Sequence, residues 1–499
     1  MGVLPLSGMR PLYDAAAVRE ADARAIAAGS PGEVLMEAAG VIAAREVLAS
    51  FAPGSAATVL VGPGRNGGDG MVVARLLAEA GWDVQVQAPG ARPPGSPEGA
   101  LMTARAAASG IVVDDVDLPA LRAGGRVIID ALLGTGTEGA PRGAMADVVS
   151  AVRGSGAPVA ALDIPTGVDA GTGAAPGPAV RAEVTVTFAA DKVGLHIAPG
   201  RGLAGRVVVA DIGIPGRLLP PPVAWLATEG VISTIPSKGA DDDKYGAGGA
   251  LVVGGAPGMS GAVRLSTRAA LRSGAGVVVA CVPGSVRTEV AVGTPEVMVN
   301  PLDLDEVMRQ AGRVTAVAIG PGLGRADATT VLVRALLAGI ALPVVLDADG
   351  LWHLGDDLVS LRERPGPTII TPHAGEAARL LATGRRDVEA ARFDAARALA
   401  DRSGAVALLK GPGTIICAPD ADPVIIEGGT PALATAGSGD VLTGVITALV
   451  ARGVGPRDAA ICGAVLHARA GVLAGMGDGT IAGDIVEALP NALAVGSGR

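Results

Sequence analysis

Short runs of β-branched residues alternate with Ala-rich segments of helical periodicity between about residues 59 and 211. The apolar runs are VLVG, VQVQA, VIID, PVAALD, VTVTF and RVVVAD. Strands that are apolar throughout and separated by helices are typical of a parallel sheet covered on both faces. The pattern therefore predicts a doubly wound, three-layer α/β/α domain. One or two helices from Asp14 to Ala49, broken at the segment SPGE, precede it.

A second α/β series follows a run of three prolines, Pro220 to Pro222. Its apolar runs are ALVVGG, GVVVACV, VTAVAIG, PVVLDADG, TIITPHAGE and VALLKG, and a long helical region begins at Gly439. A chain of 499 residues also exceeds the size at which one hydrophobic core keeps growing. We therefore expect a first domain at 1–219, a Pro-rich linker at 220–225 and a second domain at 226–499.

Composition narrows the possible partners. Hydrophobic residues make up 49% of the chain, yet no stretch of membrane-spanning length lacks Gly, Pro or charge, and no signal peptide is recognisable. The net charge of −9 comes without a basic run, which argues against a nucleic-acid partner. The three cysteines lie far apart and lack metal-ligand spacing. These features predict a cytoplasmic protein that binds neither membrane nor nucleic acid.

Three polar or Gly-rich segments follow predicted strands in the first domain. GPGRNGGDG (residues 62–70) follows VLVG, Asp130 ends VIID, and Asp163 follows AAL. A Gly-rich turn that opens a helix offers backbone N–H groups to a phosphate, but taken alone it is more often a plain turn. The two aspartates taken singly are more often helix caps. Because ligands bind at the carboxyl ends of parallel strands, the three segments together favour a binding site.

The segments VLMEAAG, GPGRNGGDG, DALLGTG, LDIPTGVDAGTG, TFAADKVGL and DIGIP resemble, in this order, the N-terminal domain of the NAD(P)H-hydrate repair enzymes. That Rossmann-like domain interconverts the R and S forms of nicotinamide rings hydrated at C6. The resemblance implies that Asp163 is catalytic and that a potassium ion is held by Asn66, Asp130 and Thr166. It implies substrate contacts from Arg65, Asn66, Gly67, Gly68, Asp69, Gly134, Thr135, Gly136, Thr137, Glu138, Gly139 and Asp163.

Two residues depart from the family pattern in this domain. Arg65 stands where the family usually has Asn, which could alter substrate contacts. Thr166 replaces the usual Ser and keeps the hydroxyl. Lys192 lies in a family-typical segment, but a surface salt bridge accounts for it as well as a role in the site does.

The strongest single motif is LATAGSGDVLTG, in which Gly437 to Asp440 open a predicted helix. Phosphoryl transfer to an alcohol needs amide donors near the transferring group and a base beside the hydroxyl nucleophile. This motif supplies both. The alternative is a Gly-rich N-terminus with Asp in the first turn, where the helix dipole favours it.

The motifs KYG, SGAVRLSTRAALRSGAGVV, TPEVM, IGPGLG, LDADGLWHL, TPHAGEAARL, LLKGPGT and AGSGDVLTG resemble the family's ribokinase-like dehydratase domain. That domain phosphorylates the C6 hydroxyl of the S hydrate from ADP or ATP, with Mg²⁺, and eliminates phosphate to regenerate NAD(P)H. The resemblance implies that Asp440 is the base and that Ala262, Gly322 and His373 also contact the hydrate. The implied nucleotide-binding residues are Lys410, Gly411, Pro412, Gly413, Thr414 and Gly439.

Several alternatives stay open at this level. His373 could cap a helix instead, and we interpret His196, His353 and His467 as structural. Either Lys238 or Lys244 could match the family's lysine before the first strand, because the acidic residues 241–243 intervene.

The sequence does not distinguish ADP from ATP or NADH hydrate from NADPH hydrate. The resemblance suggests a homo-oligomer. The rival function is a ribokinase-like kinase for a small alcohol fused to a dinucleotide-binding regulatory domain, which leaves the first domain's strand-end motifs unexplained.

Overall fold

The computed structural model describes residues 6–137, 139–239 and 243–494 and contains two compact units. The first unit is Pro11–Ala224, and the second contains residue 225 onward together with the residues before Pro11. The early residues belong to the second unit because β1 (Met9–Leu12) is an edge strand of that unit's sheet, next to β9 (Ala224–Ala227). The last residues of the segment interpreted as a linker are thus part of a strand.

The first unit has helices on a seven-stranded parallel sheet, as the alternating pattern predicts. Two helices precede the sheet and are separated at the SPGE segment. The strands are β2 (Ala56–Val61), β3 (Asp83–Ala88), β4 (Val113–Asp115), β5 (Val127–Ala131), β6 (Val159–Leu162), β7 (Val184–Phe188) and β8 (Arg206–Ala210). The helices are α1 (Ala15–Ala27), α2 (Gly32–Ser50), α3 (Arg65–Glu79), α4 (Pro97–Ala108), α5 (Leu118–Ala123), α6 (Ala144–Ser155) and α7 (Gly200–Ala204).

The strand order of this sheet is β4-β3-β2-β5-β6-β7-β8, so the chain changes direction across the sheet between β2 and β5. Open α/β sheets bind ligands in the crevice at this point of reversal. Strands β2, β5 and β6 are neighbours there. Their carboxyl ends bring the Gly-rich turn, Asp130 and Asp163 to one edge of the sheet.

The second unit is built on an eleven-stranded sheet of order β1-β9-β18-β17-β16-β15-β14-β13-β10-β11-β12. Its further strands are β10 (Gly249–Val253), β11 (Val277–Val282), β12 (Met298–Pro301), β13 (Ala316–Ile319), β14 (Val344–Leu346), β15 (Thr368–Ile370), β16 (Val406–Leu409), β17 (Ile415–Cys417) and β18 (Val424–Ile426). Its helices are α8 (Ser260–Arg272), α9 (Arg287–Gly293), α10 (Leu304–Ala311), α11 (Asp327–Gly339), α12 (Asp349–Trp352), α13 (Ala374–Leu380), α14 (Arg385–Ala390), α15 (Arg392–Ser403), α16 (Ser438–Ala451), α17 (Pro456–Ala474) and α18 (Ala482–Leu493).

Here the order reverses between β10 and β13, and β10 through β16 pair in parallel. The apolar runs of the sequence correspond to β2, β3 and β5 to β8 in the first unit and to β10, β11 and β13 to β16 in the second. The pattern misses six strands of three or four residues that lie toward the ends of the two strand orders, where so short a segment carries little periodicity: β1, β4, β9, β12, β17 and β18. Among the described helices, none combines the length and apolar content that a bilayer crossing requires.

Helix α16 packs against α8 at close range through a glycine. A Cβ at Gly444 would lie 2.1 Å from the carbonyl oxygen of Ser266. The Ser266 hydroxyl also donates a hydrogen bond of 2.8 Å to the carbonyl oxygen of Asp440 in the first turn of α16. The packing of the two helices therefore fixes the position of the helix start that carries Asp440.

We predict that Gly444→Ala destabilises the second unit by about 1–3 kcal/mol, because a methyl group overpacks a backbone contact that cannot retreat. Scanning calorimetry should show a lower unfolding temperature. The matched control is Gly261→Ala in α8, where a Cβ meets nothing within 4 Å. There the higher helix propensity of Ala should raise stability by up to about 1 kcal/mol. Equal unfolding temperatures for the two variants would contradict the packing argument.

Candidate active sites

A cleft of about 430 Å³ lies at the carboxyl edge of β2, β5 and β6 in the first unit. It brings together most of the substrate residues expected there. Three expected glycines do not line the cleft: Gly67 and Gly68, which lie in the first turn of α3, and Gly139. Glu138 lies outside the described residues. The expected residues that line the cleft are Arg65, Asn66, Asp69, Gly134, Thr135, Gly136, Thr137 and Asp163.

Asp163 is held in the cleft by a buried lysine. Its Oδ1 lies 2.9 Å from Nζ of Lys192, and its Oδ2 accepts a 2.9 Å hydrogen bond from the backbone N–H of Thr135. Lys192 is 0% exposed and also donates to the Thr187 hydroxyl at 2.7 Å and the Phe188 carbonyl at 3.0 Å. The interpretation of Lys192 as a surface salt bridge is therefore wrong.

The backbone, the electrostatics and a neighbouring glycine also constrain Asp163. Its backbone has a positive φ of 65°, which aims the residue away from the strand direction. Burial opposes ionisation, but the Lys192 charge and the hydrogen bonds from Lys192 and Thr135 outweigh it and lower the pKa of Asp163. Gly134 is required beside it, since a Cβ there would lie 2.8 Å from the carboxylate. The result is an ionised carboxylate with a fixed direction.

Two acidic residues of the cleft, Asp22 and Glu98, were not expected from the sequence. The guanidinium of Arg65 lies 3.7 Å from a carboxylate oxygen of each. Burial, and then the charges of Asp163 and Asp22, raise the pKa of Asp69 well above its usual range. Asp22 comes from α1, outside the sheet, and no motif in the sequence marks it. Arg65 thus compensates the negative charges of Asp22 and Glu98, which the family-like motifs do not include.

Asp130 and Thr166 form a buried polar pair at this edge of the sheet, and Asn66 lies beside Gly134 in the lining of the cleft. Asp130 is fully buried and accepts hydrogen bonds from the Thr166 hydroxyl at 2.7 Å and backbone N–H at 2.8 Å. Burial raises the pKa of Asp130 to about 6. Both polar atoms of the buried Asn66 amide lack a hydrogen-bond partner. A buried carboxylate without a cationic partner among the described residues, together with an unsatisfied amide oxygen, fits a hard monovalent cation.

The second unit has its own charged cluster at the carboxyl edge of the sheet. Nζ of Lys410 lies 2.7 Å from Oδ1 of the buried Asp347 and 3.8 Å from Oε2 of Glu376. The other oxygen of Asp347 accepts a 2.6 Å hydrogen bond from the Thr443 hydroxyl on α16. Asp347 was not among the expected site residues, although its place directly after the apolar run of β14 is the signal that identifies it.

Asp440 lies in the first turn of α16 beside this cluster. Burial, and then the negative charge of Asp347, raise its pKa to about 7, against the opposing charge of Lys410. A carboxylate with a pKa near neutral can both accept and release a proton at physiological pH. Gly437 begins the helix with a positive φ of 86°, which leaves the first backbone N–H groups of α16 directed toward the same region.

The 410–414 loop is supported from below by a buried arginine. Arg392 donates to the carbonyl oxygens of Lys410 at 3.4 Å and Gly413 at 3.2 Å. The Thr414 hydroxyl donates to the carbonyl of Gly411 at 3.1 Å. Across the loop, a Cβ at Gly439 would lie 3.4 Å from Nζ of Lys410. The expected nucleotide-binding residues come from two places, the 410–414 loop and the start of α16. The structure brings both to the ammonium group of Lys410.

The three residues expected to contact the hydrate behave differently. A Cβ at Gly322 would lie 3.0 Å from Cβ of Ala262, so these two are adjacent. His373 is the N-cap of α13: its Nδ1 accepts from the backbone N–H groups of Gly375 at 3.0 Å and Glu376 at 3.2 Å. The capping role left open for His373 is therefore present, and its exposed ring leaves Nε2 at the surface of the loop.

The other three histidines make contacts within the protein, and neither lysine near the first strand of the second unit is buried. Hydrogen bonds or ion pairs within the protein involve the rings of His196, His353 and His467. Lys238 and Lys244 are both exposed, and Lys244 lies over the ring of Tyr245 at 5.2 Å. Two of the acidic residues between these lysines, Asp241 and Asp242, lie outside the described residues.

We predict that Lys192→Met destabilises the first unit by about 3–5 kcal/mol, because it leaves Asp163 buried without its cation. Calorimetric unfolding measures the loss. Lys244→Met is the control, and this exposed change should stay within about 0.5 kcal/mol of wild type. The double variant Lys192→Met/Asp163→Asn should recover part of the loss, since the unpaired charge is gone. A single variant as stable as the control would mean that the pair contributes nothing.

Known proteins of similar sequence cover both units. Residues 32–194 match the family described as YjeF-related protein N-terminus, and residues 250–491 match the family described as NAD(P)H-hydrate dehydratase. A solved structure of similar fold, the ADP/ATP-dependent NAD(P)H-hydrate dehydratase of Bacillus subtilis crystallised with ATP and Mg²⁺, is 29% identical, covers 54% of this chain and 97% of its own, and has a TM-score of 0.48.

Two full-length relatives are called bifunctional NAD(P)H-hydrate repair enzymes. The protein of Moorella thermoacetica is 38% identical over 93% of this chain and 92% of its own length. The protein of Escherichia coli K12 is 36% identical over 83% of this chain and 80% of its own length. Because the similarity spans both units and nearly the whole length of these relatives, the chain belongs to the family of bifunctional NAD(P)H-hydrate repair enzymes.

Proposed function

We propose that this protein repairs hydrated NADH and NADPH with two activities in one chain. The unit Pro11–Ala224 interconverts the R and S hydrates at C6, and the unit from residue 225 onward dehydrates the S hydrate with ADP or ATP. The observation that carries the proposal is the Asp440 carboxylate, which has a pKa of about 7 and lies at the start of a helix beside the partly buried Lys410 and its partner Asp347. The activities would follow the domains expected from the sequence, 1–219 and 226–499.

In the dehydration, Asp440 would take the proton of the C6 hydroxyl while that oxygen attacks the terminal phosphoryl group of the nucleotide. The P–O bond to the leaving nucleotide breaks, and C6 carries a phosphate. Phosphate is a far better leaving group than hydroxide. Its departure from C6, with loss of a proton from C5, then forms the C5–C6 double bond of NAD(P)H. The positive ammonium group of Lys410 would stabilise the negative charge on the phosphate oxygens during the transfer.

The nucleotide would be held by the 410–414 loop and Gly439, and the hydrate by Ala262, Gly322 and His373 together with Asp440. Backbone N–H groups at the start of α16 would bind phosphate oxygens. In the described part of the chain, no three carboxylate, His or Cys side chains converge as a metal cage. Mg²⁺ would therefore be bound mainly by the nucleotide phosphates, which is its usual preference.

In the epimerisation, Asp163 would be the base, held ionised and in position by Lys192. It would take the proton of the C6 hydroxyl while the bond between C6 and the ring nitrogen breaks to leave an aldehyde. Re-closure of that bond on the other face, with return of the proton to the oxygen, would invert C6. The loops at 65–69 and 134–139 would bind the dinucleotide. Asn66, Asp130 and Thr166 would hold a potassium ion that fixes these loops together, supported by the unsatisfied amide of Asn66 and the burial of Asp130.

Two broader properties are part of the same proposal. A cytoplasmic setting is supported by three buried cysteines that form no disulfide. A homo-oligomer is supported by the family resemblance alone. A small-alcohol kinase with a regulatory first domain is the weaker function, because it assigns no chemistry to the fixed, ionised Asp163 of the first cleft.

We predict a reciprocal pair of losses when each base is removed. With a mixed pool of R and S hydrates and ADP or ATP, wild type should restore the absorbance of NAD(P)H completely. Asp440→Asn should lower the dehydratase kcat by about 10²-fold or more while epimerisation continues. Asp163→Ala should consume the S form at the normal rate and stall with the R form remaining, after correction for spontaneous epimerisation. Loss of both activities in either variant would contradict the separation of the two sites.

We predict that Lys410→Arg raises the nucleotide KM or lowers the dehydratase kcat by at least ~10-fold, about 1.4 kcal/mol. The 2.7 Å contact with buried Asp347 leaves room for a compact ammonium, whereas a guanidinium is wider and planar. Lys238→Arg is the matched control and should be near neutral, because Lys238 is exposed. If both variants had wild-type kinetics, the nucleotide site would have to lie elsewhere.

A further inference from the structure

Two arginines stack against one tryptophan in the second unit. The guanidinium carbon of Arg379 lies 3.3 Å from the ring centroid of Trp352, and that of Arg325 lies 4.2 Å from it. Trp352 is 39% exposed, so the cluster is at the surface of the protein. Stacking of this kind fixes the plane of a guanidinium without using its N–H donors, which lie at the edge of that plane.

The two guanidinium groups of this cluster differ in their partners. Nε of Arg325 lies 2.8 Å from Oδ1 of Asp349. Among the described residues, the guanidinium of Arg379 has neither a hydrogen bond nor an ion pair, and its Nη1 is buried without a partner. Burial, followed by the positive charge of Arg325, lowers the pKa of Arg379, against the opposing charge of Asp356. Two guanidinium groups therefore lie on one ring, and only that of Arg325 is directly bonded to a carboxylate.

The cluster adjoins the site that holds Asp440. Arg325, Trp352 and Arg379 follow the neighbouring strands β13, β14 and β15, so they occupy the same carboxyl edge of the sheet. Asp349 binds both Arg325 and the backbone N–H of Gly324, at 2.9 Å, and its charge acts on Asp440. Arg325 therefore lies on the same segment as Gly322, and Arg379 on the same segment as His373, two of the residues expected to contact the hydrate.

We propose that Arg325 and Arg379, stacked on Trp352, form a subsite for a phosphate group of the dinucleotide hydrate. A planar guanidinium binds phosphate oxygens in a bidentate manner, and an anion placed between the two cations relieves their mutual repulsion. The proposal rests on the dehydratase function proposed above. The phosphoryl group could belong to the pyrophosphate, which both hydrates have, or to the 2′-phosphate, which only NADPH hydrate has.

A contact remote from the reacting carbon strengthens binding of the ground state and the transition state alike, so its loss appears in KM. Steady-state dehydratase kinetics on Arg325→Gln and Arg379→Gln should show a hydrate KM raised about 10-fold, with kcat and the nucleotide KM within about 2-fold of wild type. An effect on both hydrates identifies the pyrophosphate, and an effect on NADPH hydrate alone identifies the 2′-phosphate. Arg334→Gln, an exposed arginine of α11 that pairs with Asp357, is the control and should leave all constants unchanged.

Calorimetric binding of NADH and NADPH keeps the test separate from turnover. In the two variants the affinity for NADH, for NADPH or for both should fall. This result is expected even if the wild-type protein has no dehydratase activity; that outcome would refute the dehydratase function and leave the subsite standing. Unchanged hydrate KM and dinucleotide affinity in both variants would overturn the subsite and leave a stack that only joins α12 to α13. Equal rises in the nucleotide and hydrate KM would overturn it too. If Arg379→Gln did not fold, Arg325→Gln, at an exposed position, would decide the result.

Discussion

A lysine can leave water, wholly or in large part, only when a carboxylate or several acceptors compensate its charge, and both candidate sites of this protein depend on that constraint. Lys192 pairs with Asp163 and Lys410 pairs with Asp347. Each aspartate directly follows a buried parallel strand, at the edge where the site lies. The chain has four lysines in all, and two of them are used in this way while the other two are exposed. The ion pairs hold the site carboxylates in place and also set their protonation.

The two pairs have opposite consequences for the groups proposed to move protons. In the first unit Lys192 contacts Asp163 itself, so the pKa of that carboxylate falls. In the second unit Lys410 is neutralised by Asp347, and the remaining burial and negative charge raise the pKa of Asp440 to about 7. Similar parts thus give one base that is ionised at neutral pH and another that is poised to exchange its proton. This difference suits an epimerisation in one unit and a phosphoryl transfer in the other.

Strand order and helix packing together determine where the site residues lie in each unit. The reversal of strand order gathers the strand-end residues, which is why Asp347 and Asp440, about ninety positions apart in the chain, both lie beside Lys410. Helix packing then fixes the finer geometry, as when Gly444 lets α16 approach Ser266 and so positions Asp440. The arginine stack on Trp352 extends the same edge of the sheet by residues that follow three neighbouring strands.

The sequence by itself determined the two α/β series, the long parallel strands and the motifs that identify the family, because these are local patterns that survive without knowledge of contacts. It also identified Asp163, Asp440 and Lys410 as residues of interest. Only the tertiary structure decided the burial of Lys192, the partnership of Lys410 with Asp347 and the presence of Asp22 in the first cleft. It also placed β1 in the sheet of the second unit. Each of these depends on residues far apart in the chain coming within a few ångströms, and charge pairing and edge-strand pairing at such separations leave no periodic trace in the sequence.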